Sequence, residues 1–370
     1  MKSLTRPLRV MHIISGDLWA GAEVQAYTLL KQLQQHVQLK VILLNEGELA
    51  IKLRQLGIEL IILPEANMNS LRLFFGVFWQ IFKFNPNILH THRQKENILG
   101  GIANFLSGLF GRGGKSLRTA HGAPEFRPLG LQRLQMLLDL AVGRCLQRAV
   151  IAVSKELKIK LRGFYSEKKI HIIQNGVDIE ALRNTVLPIN FVGDVNTKHL
   201  GIIGRLEPVK RIDLFLRTAA ELQGTSCGGE NWHFHVIGDG GRKGELVDLA
   251  QQLGLSRVVT FHGHRHDVAN CIAGLDAVVM CSDHEGMPMV ALETLALGVP
   301  LIAHNVGGLR ELLAGFPDLA VDDHRAEAYA SCLQRVCKQK PALNVHLDED
   351  YSAQDNCRKT LELYRRLFTV

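Results

Sequence analysis

Disulfide chemistry is the first thing this sequence lacks. Its seven cysteines in 370 residues show no C-x-x-C spacing, and an odd count argues against a disulfide framework. That favours a reducing compartment. Cys332 and Cys337 stand five apart, but no histidine pair completes a zinc pattern. Aromatic residues are 6%, and there is no Lys/Arg block or stacked-aromatic motif, so nucleic acid is not an expected partner. No repeat of 20–50 residues and no low-complexity segment is present. The N-terminal MKSLTRPLRVMHIIS is basic, yet its apolar run is too short for a signal peptide. A cytoplasmic location is therefore expected. The most apolar window, Leu71–Phe84, has 14 residues and includes Arg72, Gln80 and Lys83, too short and too charged to span a bilayer.

What remains can bury a full core. Hydrophobic residues make up 46% and charged residues 21%, with a formal charge of +7. A basic balance suits acidic substrates or anionic lipid. The length fits two domains or one large α/β body.

Short apolar runs alternate with helical stretches. Strands are expected at Leu8–Ile14, Leu39–Leu44, Ile58–Leu63 and Asn87–His90, with later runs ending at Ala120, Val153 and Ile173. Ala22–Gln35 reads as an amphipathic helix. This alternation implies a parallel sheet covered by helices. Residues 184–198 (NTVLPINFVGDVNTK) lack a sustained period and read as a linker. The alternation then restarts with strands at His199–Ile203, His233–Ile237, Val258–Phe261, Ala277–Cys281 and Pro300–Ala303. The expected division is 1–183, a linker at 184–198, 199–350, and a closing helix in 351–370 that packs back on the first domain. Two doubly wound Rossmann-like domains facing across a cleft would bind ligands at the carboxyl ends of their strands.

The most informative segment is Glu285-Gly-Met-Pro-Met-Val-Ala-Leu-Glu293. Pro288 suits the first position of a helix. The free N–H groups that follow, with the helix dipole, make an anion site. Glu285 lies before that helix and Glu293 more than a turn inside it. Carboxylates beside an anion site suit a ligand carrying both phosphate and hydroxyl groups, such as a nucleotide sugar. Helical spacing would set the pair roughly 12 Å apart. Glycosidase pairs stand about 5–9.5 Å apart, so binding roles fit better. The bland alternative, a solvated surface pair, fits poorly with the Gly-x-Pro break.

Gly204-Arg-Leu-Glu-Pro-Val-Lys210 joins a strand to a helix, where phosphates bind doubly wound sheets. Arg205 offers a planar fork and Lys210 a mobile point charge. Alone they would read as surface bases; beside the Glu285 loop they read as diphosphate ligands. Ser15–Glu23 and Gly238–Gly241 are glycine turns after strands, weak signals by themselves, and no G-x-G-x-x-G occurs. His121 ends a strand and is one of 16 histidines, so position alone singles it out. Leu71–Phe84 has two readings of equal weight, a buried helix and an interfacial helix on an anionic membrane.

Together these pieces resemble the retaining, nucleotide-sugar-dependent glycosyltransferases of the group 1 (family 4) type. The carriers are A-G-A-E at Ala20–Glu23, H-G at His121–Gly122, V-S-K-E-L at Val153–Leu157 and N-G-V-D at Asn175–Asp178. G-R-L-E-P-V-K at Gly204–Lys210, E-G-M-P-M-V-A-L-E at Glu285–Glu293 and V-G-G at Val306–Gly308 complete the ordered set. Met287 stands where Phe is common, and Ala20 where Gly is common. The resemblance implies the GT-B architecture and a role for each position. Glu293 would hold the ribose hydroxyls and Glu285 the donor-sugar hydroxyls. Arg205 and Lys210 would neutralise the diphosphate. Backbone around Gly286, Met287, Pro288 and Met289 would meet sugar or phosphate, and Gly21 would approach the diphosphate. His121 would contact the sugar near the reacting carbon. Gly263, His264 and Arg265 would border the base. The implied reaction is front-face substitution with an oxocarbenium-like centre, needing no metal or other cofactor. The implied acceptor is a saccharide or lipid-linked sugar of the cell envelope, met at the inner face of the membrane. An epimerase on the same fold and a catalytically silent nucleotide-sugar-binding subunit are the alternatives.

Overall fold

A computed structural model describes residues 7–122, 130–194, 196–224, 231–339 and 344–369. The basic start Met1–Arg6 lies outside the described residues. The chain divides into two compact units, residues 1–176 with 350–370, and residues 177–349. That junction falls earlier than the 183/184 boundary expected from the sequence. Asn184 and Thr185 belong to a helix, Ile179–Thr185, and the expected linker proper is irregular only after it.

Among the described residues the first unit holds seven parallel strands: β1 (Arg9–Ile14), β2 (Gln38–Leu43), β3 (Glu59–Ile62), β4 (Ile88–Thr91), β5 (Lys115–Ala120), β6 (Gln147–Ala152) and β7 (Ile170–Ile172). Their order is β3-β2-β1-β4-β5-β6-β7. Parallel strands buried on both faces need near-continuous apolar runs. β1 supplies one and divides it by alternation. Val10 and Ile14 pack with Leu30, Leu33 and Leu361 on one face, and Met11 and Ile13 pack with Leu73, Val77 and Ile81 on the other. Helices α1 (Gly21–Leu33), α2 (Glu48–Gln55) and α14 (Ala353–Thr369) supply residues to the first face, α3 (Ser70–Phe84) and α4 (Gln94–Gly108) to the second. α14 lies against α1. Gln25 on α1 donates to Asn356 on α14 at 3.1 Å and accepts from the Gly176 amide at 3.1 Å. Asn356 donates to the Gln174 carbonyl. The N-G-V-D turn is thus tied down where the chain leaves the unit.

α3 buries one side in the core and exposes the other. Leu73, Val77, Ile81 and Phe84 are buried, while Leu71, Phe75 and Trp79 on the other side are 70%, 62% and 59% exposed.

The second unit repeats the plan, with six parallel strands among the described residues: β8 (Thr197–Ile203), β9 (Asn231–Ile237), β10 (Val259–Gly263), β11 (Ala277–Met280), β12 (Leu301–His304) and β13 (Ala320–Val321). Their order is β10-β9-β8-β11-β12-β13. Strand order reverses direction between β8 and β11, the switch point where such sheets bind ligands. In the first unit the equivalent point lies between β1 and β4.

Candidate functional site

The loops after β8 and β11 meet at the second unit's switch point. Pro208–Lys210 forms one 3-10 turn after β8. The Asp283 amide donates to the Val209 carbonyl at 2.9 Å, and Arg211 reaches Asp283 at 3.1 Å, so the two loops are sewn together. Lys210 Nζ lies 2.5 Å from Glu285 Oε1, which also accepts from Ser282 Oγ at 2.6 Å. Their side chains are 21% and 9% exposed. An ion pair this sheltered holds a cation and an acceptor in fixed register.

Helix α11 (Met289–Ala296) starts one residue later than the sequence suggests. Pro288 is its N-cap, with extended backbone at ψ 132°, and its carbonyl accepts from Ala291 and Leu292. The amides of Met289 and Val290 therefore precede the helical ladder, where a helix favours anions. Met287 and Met289 bury their side chains, leaving backbone as what they can offer a ligand. Glu293 sits on the second turn. Its carboxyl makes no hydrogen bond or ion pair among the described residues, and burial pushes its pKa up to about 7.

Two glycines explain how the loops come so close. Gly238 has φ +140°, and a Cβ there would collide with the Gly204 carbonyl. Gly307 has φ +55°, and a Cβ there would strike the Glu285 carbonyl. The V-G-G segment thus packs closely against the Glu285 loop, and the glycine turn at 238–241 against the loop of Gly204–Leu206.

Other expected residues divide between the units. Arg205 is exposed, with no side-chain partner among the described residues. Gly263 ends β10 with φ +68°, and its carbonyl accepts from Gly238 at 2.8 Å. His264 is exposed. Arg265 is engaged in a bidentate pair with Asp267 at 2.8 and 2.6 Å, so its charge is already matched. Gly21 and His121 belong to the first unit. Gly21 opens α1, whose N-terminus has no side-chain cap, and no atom lies where its Cβ would reach. His121 follows β5, its pKa lowered to about 4 by burial and by the charges of Arg93 and Arg118.

Sequence reasoning missed Arg93. It follows β4 at the first unit's switch point and pairs with buried Glu23 at 2.5 Å and with Asp17 at 3.3 Å. The signal available was its place directly after the apolar run that ends in His90-Thr-His. Ser154, part of V-S-K-E-L, proves to be a helix cap, accepting from the Leu157 amide at 3.2 Å.

Comparison with known proteins agrees with this arrangement. Residues 192–352 match the model for Glycosyl transferases group 1, and residues 19–181 match that for Glycosyltransferase Family 4. The UDP-Gal:alpha-D-GlcNAc-diphosphoundecaprenol alpha-1,3-galactosyltransferase of Escherichia coli is 24% identical over 98% of this chain and 94% of its own length. The D-inositol 3-phosphate glycosyltransferase of Rhodococcus opacus (strain B4) is 33% identical over 75% of this chain and 67% of its own. In fold, the chain resembles Anabaena Alr3699/HepE, solved with UDP and glucose, with a TM-score of 0.81 and 19% identity over 97% of this chain and 100% of that one. The two doubly wound units, the sewn loops at the second switch point and these matches together place the chain in the group 1 glycosyltransferases, with the GT-B fold.

Proposed function

We propose that the protein is a retaining hexosyltransferase that moves a hexose from a uridine diphosphate sugar to a lipid-linked or saccharide acceptor of the cell envelope. The observation that carries this reading is the Lys210–Glu285 pair beside the α11 N-terminus, with the unpartnered carboxyl of Glu293 one turn on. Uridine is favoured because the E. coli relative uses UDP-Gal and the Anabaena neighbour was solved with UDP and glucose. The E. coli relative's diphosphoundecaprenol acceptor favours a lipid-linked one.

Lys210 and Arg205 take the diphosphate, joined by the amides of Met287 and Met289 and by Gly21. Glu285 holds sugar hydroxyls, Glu293 the ribose, and His121 the sugar near its reacting carbon. Gly263 and His264 border the base; Arg265, matched by Asp267, shapes that edge rather than binding phosphate. In the reaction the C1–O bond to the diphosphate breaks as the acceptor oxygen bonds C1 on the same face. The acceptor proton passes to the leaving phosphate oxygen. Fixed cations and amides aimed at that oxygen lower the barrier because charge builds there. No protein nucleophile and no metal are required.

Product analysis tests the reading. With UDP-hexose and a lipid-linked acceptor, NMR should show a new glycosidic bond of the donor's own anomeric configuration. An inverted bond would refute retention, an epimerised nucleotide sugar would favour the isomerase, and no turnover would favour the silent subunit.

The same reading places the protein in the cytoplasm, at the inner face of the membrane, through α3. No described helix is long and apolar enough to cross a membrane. The exposed Leu71, Phe75 and Trp79 lie on a helix that also carries Arg72 and Lys83. Aromatic residues amid basic ones suit the headgroup region of anionic lipid. Phe75→Ser with Trp79→Ser should lower co-sedimentation with anionic vesicles about tenfold or more. Equal sedimentation of variant and wild type would remove α3 from the contact.

A further inference from the structure

A line of histidines crosses the buried centre of the first unit. His12 on β1 and His90 on β4 are register partners in the sheet, and His92 follows two residues beyond His90. All three are buried. Five contacts run through them in one sequence. His121 Nε2 meets His92 Nδ1 at 3.3 Å, and His92 Nε2 meets His12 Nδ1 at 3.1 Å. His12 Nε2 meets the Tyr364 hydroxyl at 3.1 Å, and that hydroxyl meets His90 Nδ1 at 2.6 Å. His90 Nε2 meets Thr119 Oγ1 at 2.7 Å, and Thr119 is itself buried.

Three buried histidines with close nitrogens invite a metal reading. Two observations oppose it. The rings of His90 and His92 are stacked, with centroids 4.7 Å apart and planes 10° from parallel, so their in-plane lone pairs run side by side rather than converge. Each of the six ring nitrogens of the triad already faces a ring nitrogen, the phenol or the threonine. Metal-bound imidazoles point one nitrogen each at a common centre.

The contacts instead have the arithmetic of a proton-ordered chain. A neutral imidazole has one N–H and one lone pair. A hydroxyl likewise donates once while accepting. Two orderings satisfy all five links and also use the phenol proton; a third, with the Tyr364 oxygen accepting from both His12 and His90, leaves that buried proton with no acceptor among the described residues. In one of the two, His121 donates from Nε2, every later group passes the sense on, and Thr119 accepts at the end. In the other, Thr119 donates first and His121 accepts at Nε2, which puts its own proton on Nδ1. Converting one into the other by hops along the links takes up one proton at His121 Nδ1 and must release one from the Thr119 hydroxyl, so the neutral chain keeps its charge only if both ends exchange. Burial favours the neutral forms: it lowers the His12 pKa to about 3, those of His90 and His92 well below the ordinary range, and raises that of Tyr364. The far end stops at a buried threonine, so the chain delivers no proton to solvent there.

We propose that His12, His92, His90 and Tyr364 set the tautomer of His121, fixing whether its Nδ1 presents a donor or an acceptor. Tyr364, on the last helix, is thereby a positioning residue for a group on β5's far end. The consequence for transfer rests on His121 contacting the donor sugar, as proposed above; the tautomer lock does not. A sugar hydroxyl both donates and accepts, so a fixed partner sense would orient it in one way.

Histidine-labelled protein read by long-range proton–nitrogen NMR tests this, since the two ring nitrogens report the tautomer directly. His121 is assigned by loss of its signals in His121→Gln. Wild type should show one neutral tautomer at His121. Tyr364→Phe, which removes only the central hydroxyl, should move both His121 nitrogen shifts toward those of a mixture. Transfer should fall roughly five- to tenfold, the worth of about one hydrogen bond. Thr119→Val, at the buried end, should move the same signals, and it carries the test if Tyr364→Phe does not fold. A merely structural role for Tyr364 would lower thermal stability while leaving His121's nitrogens in place. Unchanged His121 signals in the variants would overturn the proposal. Shifted signals with full transfer activity in His121→Gln would instead keep the lock and overturn the donor-site role of His121.

Discussion

Lys210→Ala is expected to lower kcat/KM for sugar transfer by roughly 10²–10³, the usual effect of removing one group aimed at developing charge. The cation lies at the β8/β11 switch point, and in the proposed reaction it faces the diphosphate on which charge grows as the bond breaks. Its loss also strands Glu285, whose remaining neighbour in the pair's shelter is the Ser282 hydroxyl at 2.6 Å. Thermal stability should therefore fall as well. Because both side chains keep some contact with water, that fall should be smaller than the 3–5 kcal/mol typical of a fully buried pair. Glu285→Gln separates the two effects. It keeps a hydrogen-bonding amide and leaves the cation free for phosphate. Steady-state kinetics on both singles and the double variant should show strong non-additivity, since the two residues act as one unit. Additive losses would mean that Lys210 and Glu285 serve separate ends.

Glu293 should make donor binding depend on pH. Its carboxyl, ordinarily near 4.5, is pushed up to about 7 by burial. In the free protein this favours the neutral acid, so its contribution to stability is fully present below about 4.5 and is lost as pH rises through about 7. Ribose hydroxyls that donate to the carboxylate would favour the charged form and draw the pKa down. Binding would then release a proton below pH 7. Affinity for UDP-glucose should rise with pH, by at most about tenfold per unit, and level off above about 7. UDP-glucose is the better probe than UDP, whose terminal phosphate titrates in the same range. Glu293→Gln should flatten the profile, and calorimetric titrations between pH 5.5 and 8.5 would read it. A wild-type profile as flat as that of the variant would remove Glu293 from the ribose contact.

Much of this architecture is visible in the sequence because parallel strands buried on both faces leave compact apolar runs. β1, β5, β8 and β11 all start or stop within two residues of those runs. The Glu285–Glu293 segment is legible for a local reason: a Gly-x-Pro break and a helix start set the spacing of the two carboxyls, although Glu285 is then held by distant Lys210. What the sequence hides depends on partners far along it. Gly238 looks like any turn glycine until it is seen against Gly204, and Gly307 until it meets the Glu285 carbonyl. The histidine line is invisible for the same reason, because residues 12, 90 and 364 meet only through sheet register and the docking of α14. α3 hides its exposed face because apolar residues occupy both sides, so periodicity cannot say which side is covered. Pro288 caps rather than opens α11, a one-residue shift that local pattern does not resolve.

In the proposed function the second unit's switch-point site holds a uridine diphosphate through Lys210. Calorimetric titration of UDP into wild type and Lys210→Ala tests it most directly. Saturable one-to-one binding to wild type and a loss of at least tenfold in the variant are expected. Equal affinity of the two proteins for UDP, or no binding to a folded wild type, would contradict it.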